Sequence, residues 1–274
     1  MEIDPNTIAK LAGTAAAGYV GKDLLGKILG PTADYLGEGM RDMVQKRKEQ
    51  FANILANAKR MLGSHIDEPG SVPPRVLQEI LNAGTYCDNE LAAEYFGGVL
   101  ASSRTNLPRD DRGVYFLHLI NGMSAYQLRL HYCIYQWIRR AYRSNMGIEP
   151  FYKAEINGMT TLRTFVPTKT LHTAMAFTEV ELKQAKHIMP ECIFVLVQQG
   201  LLSKERSRYN DGELKYEPIS GGYLFSPTIL GVKLFYWAHG FGNVSHRTYL
   251  DMSFSIDTKE GIELVLDSVK PMPD

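Results

Sequence analysis

Residues 178–200 read TEVELKQAKHIMPECIFVLVQQG, and residues 201–240 continue LLSKERSRYNDGELKYEPISGGYLFSPTILGVKLFYWAHG. Thr178 and Glu181 stand at the Thr-x-x-Glu spacing of a capping box, in which two side chains satisfy each other's backbone donors and open a helix. The spacing predicts a short helix ending near Lys186. Pro190 then suits the first position of a second helix, where an N–H would have no intrahelical acceptor anyway. Cys192 to Val197 is unbroken apolar sequence, and Gly200 supplies a stop. After Leu201 and Leu202 a basic stretch reaches Asn210-Asp211-Gly212, whose tolerance of positive φ marks a hairpin turn, and 214–219 returns as a strand. Residues 222–225 read as a further extended piece, and Ser226-Pro227 as the cap of a closing helix that ends near Trp237. Short helix, second helix, hairpin, closing helix is the order of a winged helix-turn-helix.

Upstream, the periodicity is helical throughout. Asp4-Pro5 reads as a cap followed by a first-turn proline, and Ile8, Leu11, Ala12, Ala15, Tyr19 and Val20 recur at helical spacing as far as Leu29, before Gly30-Pro31 ends the run. Each glycine in it weakens helicity by ~1 kcal/mol relative to alanine, so packing must supply the stability. Gly13, Ala17 and Gly21 lie four residues apart and form a small-residue stripe. Such a stripe admits the close approach of another helix, a partner or a lipid surface. On lipid, Lys10, Lys22, Asp23 and Lys27 would sit at the water boundary. A second helix is predicted over 33–62, its stripe being Met40, Val44, Phe51, Ile54, Ala58 and Met61, with Arg47 the charged member.

Asp67-Glu68-Pro69-Gly70 and Pro73-Pro74 form a linker before helices over 74–83 and 88–103, the latter with Asp88 as its cap. Pro108 and the Arg109-Asp110-Asp111-Arg112 cluster mark a break, dividing a helical domain over 1–107 from a winged-helix-like domain over 108–274. In the second, a helix over 113–121 stops at Gly122, and the capping box Ser124-x-x-Gln127 opens another to about Tyr142. The expected fold is therefore mainly α, a helical bundle with long helices plus a C-terminal α+β winged-helix-like domain.

Charge is balanced, 30 basic residues against 30 acidic ones, so no whole-molecule field draws the chain to nucleic acid or anionic membrane. Locally, Arg139, Arg140 and Arg143 are interleaved with Tyr135, Trp137 and Tyr142, the composition of a phosphate or nucleic-acid surface. Arginines at a helix end also answer its dipole. The acidic tail (Asp251, Asp257, Glu260, Glu263, Asp267, Asp274) offers them a partner, and both readings stand. For DNA readout, the helix expected after Pro190 offers only Gln198 and Gln199 at its far end, and Glu191 near its front repels phosphate. In the wing, Lys204, Arg206, Arg208 and Lys215 are offset by Glu205, Asp211, Glu213 and Glu217. Sequence-specific DNA readout is disfavoured, and a protein-interaction module is expected.

Three widely spaced cysteines, Cys87, Cys133 and Cys192, fit small buried residues in a reducing compartment. The opening Met-Glu-Ile-Asp-Pro lacks a basic region before an apolar core, and the uncharged run 11–21 falls short of the ~20 residues a spanning helix needs. A cytoplasmic protein, at most peripheral at the inner membrane, is expected. Residues 16–23 approach a phosphate loop but lack its first glycine and terminal hydroxyl. No His-Glu-x-x-His and no Gly-x-Ser-x-Gly occurs. No catalytic residue, cofactor or metal is predicted.

Two stretches resemble the abortive-infection alpha family. One is Gly30-Pro31-Thr32-Ala33-Asp34-Tyr35-Leu36-Gly37-Glu38 before a long basic helix. The other is Val72-Pro73-Pro74-Arg75-Val76-Leu77, then Asp88-Asn89-Glu90-Leu91 through Tyr95-Phe96-Gly97-Gly98-Val99-Leu100-Ala101-Ser102. Gly200-Leu201-Leu202 and 227–235 are similar to that family's C-terminal half. Tyr95-Phe96 and Val99-Leu100 depart from its more usual Trp or Leu-Leu. The resemblance implies bacterial defence against phage by halting or killing the infected cell, without established catalytic residues. The expectation is a sensor or effector that meets a protein partner or its own kind, responds to a phage-derived trigger, and touches the membrane at most peripherally.

Overall fold

The computed structural model describes residues 27, 45–84, 89–107, 109–146, 162–203 and 221–250, with 256, 258, 261–262, 264–265 and 268–271 beyond them. Among these the chain is mainly helical, with eight α-helices and one small three-stranded antiparallel sheet. Internal contacts divide it into two units, Met1–Met123 with Tyr236–Asn243, and Ser124–Phe235 with Val244–Asp274. A cut at 107/108 falls inside the first unit, because the helix that follows it packs on the two helices before it.

The first unit holds α1 (Gln45–Leu62), α2 (Pro74–Ala83), α3 (Glu90–Ser102) and α4 (Gly113–Asn121). α1 is the described end of the helix expected over 33–62, with Phe51, Ile54 and Ala58 buried as its stripe requires. The first expected helix, apart from Lys27, lies outside the described residues. A 3-10 turn, Gly63–Asp67, follows α1, and the Arg104 guanidinium donates to the carbonyls of His65, Ile66 and Glu68 to close it. The cap of α3 is Asn89 and not Asp88: its side chain accepts from the Ala92 N–H at 3.1 Å.

Every residue of α3 from Leu91 to Ser102 is buried, the pattern of a helix enclosed on all sides. Two glycines make that enclosure possible. A Cβ on Gly97 would lie 2.8 Å from the Ile54 carbonyl oxygen of α1, and one on Gly98 would lie 1.9 Å from the Ala238 carbonyl oxygen. The strap 236–243 thus lies directly on α3. The Ser102 hydroxyl donates to the Trp237 carbonyl at 3.0 Å and accepts from the Gly242 N–H at 2.9 Å. Trp237 stacks on Phe116 of α4, ring centres 4.7 Å apart.

In the second unit, α5 (Ala125–Met146) opens on the expected capping box, the Ser124 N–H donating to Gln127 Oε1 at 2.8 Å and the Gln127 N–H to Ser124 Oγ at 3.3 Å. On α5 pack β1 (Thr164–Pro167), α6 (Thr168–Met175) and α7 (Glu179–Gln198). β2 (Gly222–Phe225) pairs antiparallel with β1, Thr164 opposite Phe225, and β3 (Lys270–Pro271) takes β1's other edge. α8 (Ile229–Trp237) ends where predicted but is capped by Thr228, whose hydroxyl accepts from the Gly231 N–H at 3.0 Å, in place of Ser226-Pro227. The hairpin expected over 204–219 and most of the acidic tail lie outside the described residues. No described helix is long and apolar enough to cross a membrane.

Overpacking a filled core costs about 1–3 kcal/mol, and more where backbone must move. Gly98→Ala is therefore expected to lower the stability of the first unit by at least ~3 kcal/mol, read as the denaturant midpoint. A wild-type midpoint in Gly98→Ala would show that the strap does not lie on α3.

Candidate interaction site

α6 and α7 are joined by three residues. The first, Ala176, sits in the left-handed region at φ 51 and ψ 41, the one non-glycine residue so placed among the described residues. Such a conformation costs about 1–3 kcal/mol and persists where its surroundings over-determine it. Here the next residue, Phe177, meets Tyr126 and His172 edge-on, at 5.8 and 5.7 Å between ring centres. The third, Thr178, forms the predicted capping box: its N–H donates to Glu181 Oε2 at 2.7 Å, and the Glu181 N–H to its hydroxyl at 3.3 Å. The other oxygen of Glu181 accepts from the Tyr126 hydroxyl, tying the start of α7 to α5.

α7 corrects the sequence reading. The two short helices expected on either side of Pro190 are one helix of 20 residues with Pro190 inside it. An interior proline removes one helical hydrogen bond and costs ~3 kcal/mol. Ala185 and Met189 before it, and Cys192, Ile193 and Leu196 after it, are buried on one face. That burial, worth ~1.5–3 kcal/mol for each large side chain, exceeds the loss and holds the helix together. α7 ends in a Schellman motif at Gly200 (φ 70), the Leu201 N–H donating to the Leu196 carbonyl at 2.8 Å and the Gly200 N–H to the Val197 carbonyl at 3.0 Å.

The end of α7 is seated on α5 by Tyr135. Its buried hydroxyl donates to the Leu201 carbonyl and accepts from the Thr228 N–H at 3.1 Å. Burial raises the Tyr135 phenol far above its ordinary range. One turn on, Arg139 is 1% exposed and its Nε donates to the Tyr249 carbonyl at 3.1 Å, while the Tyr249 hydroxyl donates back to the Tyr135 carbonyl.

Arg139 is thereby withdrawn into the core and cannot reach a phosphate on the surface. Arg140 is half-buried, and the side chain of Arg143 lies outside the described residues, as do Gly13, Ala17 and Gly21. The carbonyl of Tyr249, not an acidic side chain of the tail, holds the Nε of Arg139.

The outer face of α7 is the feature sequence reasoning missed. Val180, Gln184, His187, Glu191, Phe194 and Gln198 follow one another at four- and three-residue steps, and all are exposed. Val180 is 71% exposed and Phe194 48%. Lys183 and Lys186 flank them. Splitting the segment at Pro190 hid this stripe, although the apolar period from Ala185 to Leu196 already ran across the proline. In the continuous helix Lys183, Gln184, Lys186 and His187 stand in the front half of the second helix of the pair, where donors for DNA readout would be needed.

Beside the turn lies a groove of about 710 Å³ whose walls include Lys169, His172, Phe177 and Leu182. Burial pushes the His172 imidazole below its ordinary value. It also pushes the Cys192 thiol up to about 11, so this sulfur is no nucleophile at neutral pH. Among the described residues no three His, Cys, Asp or Glu side chains gather at metal-binding geometry.

The described elements define a mainly helical protein with a small three-stranded antiparallel sheet. No family model, curated protein or solved structure matches the chain.

The hydrogen bond from Tyr126, joined by those from Thr178, holds the Glu181 carboxyl below its usual value of 4.5. A lowered carboxyl contributes stability that is present above the unfolded value and is lost as pH falls through the folded one. Wild type should therefore lose stability below about pH 4.5, and Glu181→Gln should flatten that acid limb in urea titrations at stepped pH. An unchanged limb would mean that the three contacts do not act on Glu181.

Proposed function

We propose that the protein is a non-catalytic interaction protein of the abortive-infection type, and that the outer face of α7 is where it meets a protein partner. The observation that carries the reading is the exposure of Val180 and Phe194 on one face of a helix fixed at both ends. The charges beside these apolar residues balance, Glu179 and Glu191 against Lys183 and Lys186, so no field of one sign dominates the face.

A winged-helix reading of the second unit is supported by the order α5, β1, α6, α7, β2 and by the antiparallel pairing of β1 with β2. In a winged helix of that order, α7 would be the recognition helix. The abortive-infection assignment rests on the sequence blocks at 30–38, 72–77 and 88–102. In the last of these, Gly97 and Gly98 are demanded by the packing of α3, as fits a motif that carries folding information without an active site. The protein would act in the cytoplasm as a sensor or effector answering a phage-derived trigger. The stripe of Gly13, Ala17 and Gly21 is proposed as a second contact, with a partner or the inner membrane.

A second reading has its own observation. Lys183, Gln184, Lys186 and His187 are exposed together at the front of α7, and they are donors able to reach phosphates and base edges. A gel-shift of duplex DNA with wild type and Lys186→Glu separates the two, because nucleic-acid binding weakens with the loss of that lysine.

The main reading is tested in a plaque assay with Val180→Glu/Phe194→Glu. Removing two apolar anchors weakens a protein interface by at least about tenfold, so the double variant should fold normally by circular dichroism and lose protection against phage. Full protection by the folded double variant would overturn the α7 reading.

A further inference from the structure

The stripe on α7 is self-complementary about its own midpoint. Relative to His187, Val180 lies seven residues towards one end and Phe194 seven towards the other, while Lys183 and Glu191 lie four to either side. When two copies of a helix pack antiparallel around a two-fold axis, residues equidistant from the axis stand at the same level on opposite helices. With the axis at His187, Val180 of one copy meets Phe194 of the second, and Lys183 of one copy stands level with Glu191 of the other. The two His187 rings face each other at the centre. Each contact occurs twice.

The geometry of the helix permits this. Val180, Gln184, His187, Glu191, Phe194 and Gln198 fall within one narrow sector at 100° per residue, with Lys183 on its flank, and the span from Val180 to Phe194 is about 21 Å. Antiparallel helices approach to about 8–10 Å, within which lysine and glutamate side chains bridge from flank to flank. The apolar residues lie at the ends of the stripe and the polar ones between them. In a parallel pairing through the same face, each position would meet its own copy, so Lys183 would oppose Lys183 and Glu191 would oppose Glu191. Charge thus selects the antiparallel arrangement.

From the apolar and charge complementarity of this face with itself, we infer that the partner of the α7 surface is a second copy of this chain, docked antiparallel through α7 about a two-fold axis at His187. The inference rests on the reading of α7 as a protein-binding face and specifies the occupant. A single helix pair falls below the ~1,200 Å² of a standard interface, so the dimer is of the reversible, micromolar class. Because a dimer covers Lys183, Gln184 and His187, duplex DNA and the second copy would compete for the same face.

Sedimentation of the full-length protein over a concentration series, from about 1 to 300 μM to bracket that class, tests the inference. Wild type is expected to shift from monomer to dimer. Lys183→Glu and Glu191→Lys each oppose like charges at both symmetric positions, and each should raise the dimer dissociation constant about tenfold or more. The combined Lys183→Glu/Glu191→Lys variant restores both pairs and should recover the wild-type constant, and an equimolar mixture of the two single variants should form a mixed dimer.

A wild-type protein that stays monomeric throughout overturns the inference. So does a dimer whose constant is the same in the single variants and in Val180→Glu, or a combined variant that fails to recover while remaining folded by circular dichroism. None of these results touches the broader reading, which the plaque assay decides separately: protection lost in Val180→Glu/Phe194→Glu, with wild type monomeric, points to a different protein on the same face.

Discussion

The hydroxyl of Tyr135 accepts the N–H of Thr228 and donates to the carbonyl of Leu201 from inside the second unit. Those two backbone groups belong to the residue that leaves α7 and the residue that caps α8, so one side chain of α5 fixes where one helix stops and the next begins. A net protein hydrogen bond contributes only ~1 kcal/mol, but a buried carbonyl or N–H left without a partner costs ~1–3 kcal/mol. The arrangement is therefore held more by the penalty for losing it than by the gain from making it. Its demands reach further along the chain. A Cβ on Gly231 would fall 1.8 Å from the Tyr135 oxygen, so no larger residue fits there. The Tyr135 carbonyl in turn receives the Tyr249 hydroxyl, and Tyr249 returns its own carbonyl to Arg139. The inner face and both ends of α7 are committed in this way, which leaves its outer face exposed.

Much of this was legible in the sequence, and the reasons are local. The capping boxes at Ser124 and Thr178, the proline at the start of α2 and the glycine at the end of α7 act through neighbours three or four residues away, so their spacing alone reports them. What depended on distant packing was not legible. Pro190 reads as a helix start by propensity, yet the apolar face running through it keeps the helix continuous. β1 and α6 escaped because a four-residue strand followed at once by a short helix leaves no periodicity to detect. Arg139 looked like surface charge because the sequence does not say that the carbonyl of Tyr249, 110 residues away, will draw it inside. Asn89 displaced Asp88 as the cap of α3 by a single residue, well within the latitude of helix ends.

The first unit depends on backbone approach more than on side-chain chemistry. α3 contains Gly97 and Gly98 in succession, and the two face different neighbours, α1 on one side and the strap 236–243 on the other. A strap drawn from a point more than 130 residues further along the chain completes this unit, which is why a domain boundary read from composition near residue 107 did not coincide with the division by contacts. Within the stretch that resembles the abortive-infection alpha family, Gly97 and Gly98 thus leave little room for change. The side chains on the exposed face of α7, by contrast, carry little of the core.

The continuity of α7 through Pro190 is the point on which the proposed interaction face stands, since a helix broken there would aim Val180 and Phe194 in unrelated directions. Amide hydrogen exchange at Glu191, Cys192 and Ile193 measures it directly. In one continuous helix these N–H groups donate to the carbonyls of His187, Ile188 and Met189, and they should be as strongly protected as the amides around Ala185. In a helix that began at Pro190, Glu191 and Cys192 would be first-turn donors with no intrahelical acceptor, and of the three only Ile193 would keep one, the carbonyl of Met189. Rapid exchange at Glu191 and Cys192, with protection resuming at Ile193, would contradict the account.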